Sequence, residues 1–422
     1  WIRGKFKAPY DEANLRALQA GYNYANTMEL FQASYEVPAA TLEPGTYRNI
    51  TGNAAVALGL VAGSKLAGRP LFQGAYPITP ASDVLHNLAT FKDMGVVTFQ
   101  AEDEIAAVSA SIGAAWGGSI AVTSSSGPGI ALKGEALGLA LIAELPLIVI
   151  NIQRGGPSTG LPTKTEQSDL LMSMYGRHGE SPLPVLAAST PSDCFECAIE
   201  AVRIATRYVM PVMLLTDGYL ANGSEPWRLP DLDTLEPFPV EFAQAGEDFQ
   251  PYRRDPETLA RNWAIPGVEG TEHRIGGLEK QETTGNVSYD PENHEYMCKM
   301  RAEKVARIGK DIPPVQVHGD TSGLLVLSWG GTFGAARSAT NAARRSGERV
   351  GHVHLRWLNP FPPNLGEVLG QYDRVLVPEL NLGQLNKLLI ITYGIEVVSH
   401  TKIQGQPFKV SELLARIQTL TS

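Results

Sequence analysis

Cysteine is scarce, three in 422 residues. That excludes a disulfide framework and fits a reducing compartment, so a cytoplasmic location is expected. Positive charge is not in excess either. Lys and Arg total 35 against 44 Asp and Glu, for a net charge of −9, which argues against nucleic acid or an anionic membrane surface as the main partner. No apolar run is both long and uninterrupted enough to cross a membrane. The most apolar stretch, 136–152, contains Glu144 and Pro146 and reads as a buried helix followed by a core strand. No signal-peptide pattern opens the chain. The first residue is Trp1, and the opening resembles the middle of an element, so a processed or incomplete polypeptide is expected. What is present is a globular composition, 43% hydrophobic and 19% charged, with length for about three domains. The 42 glycines often sit among small residues, which favours close-packed elements and backbone–ligand approach.

The chain divides by rhythm. Residues 1–48 hold a short helical pattern, with Leu15, Leu18, Tyr22 and Ala25 at helical spacing, ending in a linker marked by Pro38, Pro44 and Gly45. This piece is too small for a core of its own. From 49 to 230, strands of about five apolar residues alternate with helices, several rich in Ala and Gly. That pattern predicts an α/β fold with a parallel sheet covered on both faces. Residues 231–322 lose the rhythm and read as an irregular connector or interface arm, although Trp263 and Tyr289 argue against disorder. From 323 to 422 the alternation resumes as a second, smaller α/β domain. Within it, VGHVHLRW reads as one strand with exposed His352 and His354, and the run after Val377 reads as an edge loop.

Parallel sheets bind ligands beyond the carboxyl ends of their strands, so the residues after each strand carry the functional argument. Tyr76-Pro77-Ile78-Thr79-Pro80 is a loop stiffened by two prolines, offering one hydroxyl; it is equally readable as structural. Glu102-Asp103-Glu104 begins a helix, where acids complement the macrodipole. The positions that follow, Ala106, Ala107, Ala110, Gly113 and Ala114, have almost no bulk, so a carboxyl set against them is desolvated. Ser124-Ser125-Ser126-Gly127-Pro128-Gly129 presents amides and hydroxyls to an anion or a ring, or is simply a tight turn; no Lys-Ser/Thr pair follows to make it a P-loop. Arg154 directly follows a core strand, where its planar fork suits a carboxylate. The Gly/Pro-rich loop after it carries further hydroxyls as far as Thr163. Gly330-Gly331-Thr332-Phe333-Gly334 lacks the later acid of a dinucleotide site. Cys194 and Cys197 form a CxxC inside a helix, and with only Cys298 left over no four-thiolate cluster is possible. His273 and His294 show no matching ligand spacing.

These strings occur together and in order: Tyr-Pro-Ile-Thr-Pro, Gln-Ala-Glu-Asp-Glu, Thr-Ser-Ser-Ser-Gly-Pro-Gly and Arg-Gly-Gly-Pro-Ser-Thr-Gly-Leu-Pro-Thr. TEHRIGGLEK and GNVSYDPENH follow in the connector. With them, residues 49–422 resemble the alpha subunit of a 2-oxoacid:ferredoxin oxidoreductase, most of all the 2-oxoglutarate type. Residues 1–48 resemble the tail of a gamma domain fused ahead of it. The resemblance implies two parallel-sheet domains of the thiamine-diphosphate enzyme type, a pyrimidine-binding domain and a transketolase C-terminal-like domain. It implies thiamine diphosphate shared with a separate beta subunit that holds Mg²⁺ and a [4Fe–4S] cluster, and no metal on this chain, which lacks a Gly-Asp-Gly metal motif. Ferredoxin and coenzyme A are the further partners it implies, and a dimer of alpha–beta units the assembly. By the same resemblance Glu104 is the catalytic glutamate at the pyrimidine ring, with Ile78 and Ser126 also at the cofactor, while Thr79, Arg154 and Thr163 face the substrate. The implied reaction converts 2-oxoglutarate and coenzyme A to succinyl-CoA and CO₂ with electrons to ferredoxin, or runs in reverse. A pyruvate or broad 2-oxoacid enzyme, a transketolase- or dehydrogenase-type thiamine enzyme, and a non-catalytic α/β scaffold are the alternatives.

Overall fold

A computed structural model describes residues 1–29, 36–244 and 249–422. Trp1–Thr46 is one compact unit and Tyr47–Ser422 another. The first holds the expected helix, Tyr10–Thr27, none of whose residues is buried within the unit.

Along the second unit run β1 (Tyr47–Thr51), β2 (Leu71–Ala75), β3 (Val96–Gln100), β4 (Ile120–Ser125), β5 (Leu147–Gln153), β6 (Val185–Ala187), β7 (Pro211–Asp217) and β8 (Ser224–Arg228). After the connector come β9 (His318–Gly319), β10 (Leu324–Trp329), β11 (Val350–Leu355), β12 (Trp357–Asn359), β13 (Arg374–Glu379) and β14 (Val398–Thr401). Among the described residues, seven strands form one sheet in the order β12-β6-β7-β5-β4-β2-β3, and five form a second in the order β14-β13-β10-β11-β9. Within these two sheets every pairing is parallel except those of the edge strands β12 and β9; β1 and β8 pair antiparallel by themselves. β5 and β7 are buried along their whole length, which is why they read as near-continuous apolar runs. The expected α/β class with two largely parallel sheets is what the chain adopts.

Small residues set the helix packing. The helix Gly52–Leu66 lies against Asp193–Tyr208 so closely that a Cβ on Gly59 would stand 2.3 Å from the Phe195 carbonyl oxygen. Only a residue without a side chain fits there. Cys194 and Cys197 lie on the second of these helices, fully buried, as free thiols in the core.

Three expectations are corrected. VGHVHLRW is not one strand: the chain breaks at Arg356, so that β11 belongs to the second sheet and β12 crosses to the edge of the first. His352 is not exposed. It is fully buried and His354 half-buried, both bonded to the Ser328 hydroxyl at 2.8 and 2.9 Å. Burial, first, and neighbouring rings and cations push them down to about 2 and about 3, so both stay neutral. The connector and the run after β13 also contain helices that periodicity missed, Pro291–Arg307 and Gln384–Tyr393. In the first, the buried positions are Met297, Arg301, Lys304 and Val305. Their spacing is helical, but two of the four are cations, so an apolar stripe is absent from the sequence.

Those cations explain how the connector is fastened. Glu144 ends the helix Gly134–Ala143 in left-handed backbone, φ 51°, and its buried carboxylate accepts from Arg254 at 2.7 and 2.9 Å. It also pairs with buried Lys304, which donates to the Tyr208 carbonyl at 3.2 Å. Arg261 donates to the carbonyls of Ala143 and Glu144 at 3.2 and 3.1 Å. Burial pushes the Glu144 carboxyl up, but Lys304 and Arg254 outweigh it and hold it well below the usual range. One carboxylate thus holds the segment around 254 and the helix Pro291–Arg307 to the main sheet. Glu144→Gln leaves two buried cations unpaired and is expected to destabilise the chain by about 3–5 kcal/mol, read as a lowered midpoint in urea with unchanged slope.

Candidate active site

The site lies at the carboxyl ends of β2, β3, β4 and β5. Glu104 is the first residue of the helix Glu104–Trp116. The neighbouring Asp103 caps that helix, its carboxylate accepting from the Ala106 amide at 2.7 Å, so capping does not fall to Glu104. Glu104 is buried while Glu102 and Asp103 are exposed. Its carboxylate lies over Gly129: a Cβ there would stand 3.0 Å from Glu104 Oε1 and 2.0 Å from Ser125 Oγ. The small-residue helix does permit close approach, since a Cβ on Gly74 of β2 would meet the Ala107 carbonyl oxygen at 2.3 Å.

Beneath Glu104 lies Lys133, a group the sequence reading passed over. It is fully buried and donates to the Glu104 carbonyl at 3.1 Å and to Thr123 Oγ1 at 3.0 Å. Burial pushes it down to about 8, against the pull of Glu104 and Asp103. On the neighbouring strands several buried oxygens have no hydrogen-bond partner among the described residues: Ser125 Oγ, Ser126 Oγ, Gln73 Oε1 and Asn151 Oδ1. All belong to β2, β4 and β5 or the residue that follows.

Arg154 follows β5 and is buried. Its Nη1 donates to the Thr79 carbonyl at 2.6 Å, which joins two of the expected residues, while its Nε is buried without an acceptor. Burial, first, lowers its pKa, and Asp169 opposes that. Thr79 itself is exposed, and the Ile78 amide donates to Ser82 Oγ at 3.0 Å. Thr163 is exposed on the loop 155–164, which folds on itself through Leu161 and the buried Gly155; among the described residues no hydrogen bond joins it to Thr79, Arg154, Glu104 or Ser126.

The segment 165–169 was also missed. Thr165, Glu166, Gln167 and Asp169 are buried, although a polar run reads as surface. Asp169 accepts from Asn151 at 3.1 Å and faces Gly127, where a Cβ would stand 3.2 Å from its Oδ2; burial raises its pKa, with hydrogen bonds and Arg154 opposing. Gln167 reaches the second sheet, donating to the Trp329 carbonyl at 2.7 Å and accepting from the Leu380 amide at 2.9 Å.

A buried carboxylate, unpaired hydroxyls and an arginine at the carboxyl edge of a parallel sheet, joined to a second such sheet, make a two-domain α/β protein of the transketolase type. A chain of a split-gene transketolase shares the fold, with a TM-score of 0.52 at 13% identity over 88% of this chain and 99% of that one. The chain belongs to the pyruvate flavodoxin/ferredoxin oxidoreductase family: residues 64–290 match the model of its thiamine diphosphate-binding domain, and 323–414 match pyruvate:ferredoxin oxidoreductase core domain II. It is 56% identical over 417 residues to the 2-oxoglutarate oxidoreductase subunit KorA of Mycobacterium tuberculosis, covering 98% of this chain but only 64% of that protein's length. A solved 2-oxoglutarate:ferredoxin oxidoreductase from Magnetococcus marinus, with 2-oxoglutarate, coenzyme A and succinyl-CoA bound, superposes with a TM-score of 0.92 at 32% identity, over 99% of this chain and 73% of that one.

Lys133 gives the site a pH signature. Its folded-state value of about 8 lies below the ordinary 10.5. Between those values the unfolded chain binds the extra proton, so the penalty of burying the ammonium is relieved as pH rises. Relative to Lys133→Met, the wild type should therefore gain stability from pH 8 to 10.5 and show a constant difference below 8, measured by urea unfolding at each pH.

Proposed function

We propose that this chain forms the alpha part of a thiamine-diphosphate-dependent 2-oxoglutarate:ferredoxin oxidoreductase. The overall conversion takes 2-oxoglutarate and coenzyme A to succinyl-CoA and CO₂, with two electrons passed to ferredoxin, or runs in reverse. The observation that carries this is Glu104, a carboxylate buried over Gly129 beside hydroxyls without partners. The relatives support 2-oxoglutarate over pyruvate as the substrate.

The residues present fit the pyrimidine end of the cofactor. Ser125 and Ser126 offer buried hydroxyls that no group among the described residues satisfies, and Gly129 lets the Glu104 carboxylate pack close beside them. When bound, thiamine diphosphate supplies the carbon nucleophile and electron sink that decarboxylation of a 2-oxoacid requires. Glu104 holds a proton at the pyrimidine ring nitrogen, as a positioned acid–base group, and the low-bulk helix behind it excludes water. Ile78 and Ser126 line the same ring. Arg154, whose Nε lacks an acceptor, holds the substrate carboxylate, and its bond to the Thr79 carbonyl keeps the loop 76–80 over the reacting end. Thr163 contributes from the loop after Arg154. The diphosphate, its Mg²⁺ and a [4Fe–4S] cluster belong to a beta subunit, and the working assembly is a dimer of alpha–beta units. A cytoplasmic setting suits the free buried thiols, and no helix among the described residues is long and apolar enough to cross a membrane.

With the beta subunit present, Glu104→Gln should keep assembly but lose at least about 10²–10⁴-fold in turnover, whereas the exposed neighbour Glu102→Gln stays near wild type. Near-normal turnover of Glu104→Gln would overturn the assignment. For substrate choice, 2-oxoglutarate should exceed pyruvate in kcat/KM by more than a few-fold, because a site built for a second charged group penalises its absence; ferredoxin reduction with each 2-oxoacid measures this. Equal or faster turnover of pyruvate would refute 2-oxoglutarate as the substrate.

A further inference from the structure

The helix Pro291–Arg307 does more than fasten the connector. His294 and Cys298 are four residues apart on it, so their side chains share one face. Facing them is Glu279, from the connector strand of sequence that precedes the helix. Glu279 Oε2 lies 2.8 Å from His294 Nδ1, and Cys298 Sγ lies 3.7 Å from Nε2 and 4.0 Å from Nδ1. The ligand atoms of all three lie within 4.8 Å of one another. The sequence suggested no ligand spacing around His294, because the third member comes from a separate segment that only folding brings in.

We propose that Glu279, His294 and Cys298 form a divalent-metal site of the zinc class, distinct from the candidate active site. The donor set is one carboxylate oxygen, one imidazole nitrogen and one thiolate sulfur, which suits a borderline cation such as Zn²⁺ better than Mg²⁺ or Ca²⁺. Ligand distances of about 2.0–2.3 Å in a tetrahedron put donor atoms roughly 3.4–3.6 Å apart, so with Nδ1 as the imidazole ligand the Glu279 oxygen, at 2.8 Å, must back away and Cys298 Sγ, at 4.0 Å, must close in, each by roughly half an ångström. The segment carrying Glu279 is held in place: the Asn293 side chain donates to the Lys280 carbonyl at 2.9 Å and accepts from the Glu282 amide at 3.0 Å. Arg301, one turn on, donates to Cys298 Sγ at 3.2 Å and to Glu279 Oε2 at 3.3 Å. A carboxylate and a thiolate each keep spare lone pairs when they ligate, so Arg301 can stay as their outer partner and offset their charge. The fourth position opens onto a cavity of about 380 Å³ that His178 also lines, leaving it to water or to that imidazole.

The test uses the full chain without an affinity tag, titrated with Co²⁺ and then with Zn²⁺ in competition. One equivalent of Co²⁺ should bring up a thiolate-to-metal charge-transfer band in the near ultraviolet, and Zn²⁺ should abolish it. Cys194 and Cys197 are sealed in the core, so the band reports Cys298. Cys298→Ser should remove the band, and His294→Ala and Glu279→Gln should each weaken Zn²⁺ binding at least about tenfold, with helical content and unfolding midpoint retained as the check on folding. A band that survives in Cys298→Ser, unchanged Zn²⁺ affinity in well-folded variants, or no band in the wild type at millimolar Co²⁺ would overturn the proposal. The metal readout does not depend on 2-oxoacid turnover, so the site can stand or fall without the proposed activity.

Discussion

The candidate site depends on how closely the helix Glu104–Trp116 can lie on the main sheet. A side chain at Gly74 would collide with the Ala107 carbonyl, and one at Gly129 with Ser125 and Glu104. With those side chains absent, the first turn of the helix sits at the carboxyl edge of β2 and β4, and Glu104 is carried into the interior while Glu102 and Asp103 remain in solvent. The capping work falls to Asp103, so the buried carboxyl is not used as the helix cap. Lys133 closes the floor, fixed by Glu104's own carbonyl and by Thr123. Its hydrogen bonds and the nearby Glu104 and Asp103 charges offset part of the cost of burying an ammonium, and burial still outweighs them.

The second constraint is the seam between the sheets. Asp217, at the end of β7, accepts from the Gly331 amide at 3.0 Å and from Thr165 at 2.9 Å, while Gln167 bridges Trp329 and Leu380. The crossing of the chain from β11 to β12 ties the same two sheets a second time. Arg154 and the segment 165–169 therefore stand on a junction buttressed from both sides, which limits how far the guanidinium can swing. Positioning of this kind is what two-point recognition of a carboxylate needs.

Much of this was legible in the sequence, and the failures share a cause. Strands such as β5 and β7 are read from their apolar runs because both faces of the sheet are covered. Arg154 is read from its place directly after a strand, whereas Glu104 is singled out from Glu102 and Asp103 only by the family resemblance; both side chains are buried. What stayed hidden was polarity that folding buries. Lys133, Glu144, Lys304 and the run 165–169 look like surface residues one at a time; each is tolerable inside because a partner ten or more residues away satisfies it, from Thr123 for Lys133 to Glu144 for Lys304, 160 positions apart. The helix Pro291–Arg307 escaped notice for the same reason, its inward face being half cationic. Periodicity reports burial of apolar groups and is silent on burial of paired charges.

The unpaired groups at the strand ends bear on why the site takes this form. A buried polar atom without a partner costs about 1–3 kcal/mol, and folded chains hold few of them. Here Ser125, Ser126, Gln73, Asn151 and Arg154 each leave one, all on adjacent strands or the residues directly after them. Others lie elsewhere in the fold, among them Thr340 Oγ1, His273 Nε2 and His354 Nε2, while Glu379 meets the Trp329 indole and the Leu385 amide. What sets the five here apart is their grouping on three adjacent strands and the residues after them, beside the buried Glu104, an arrangement that a polar guest could complete. Because the strands fix where these atoms stand, each hydrogen bond a guest makes to them also sets its orientation.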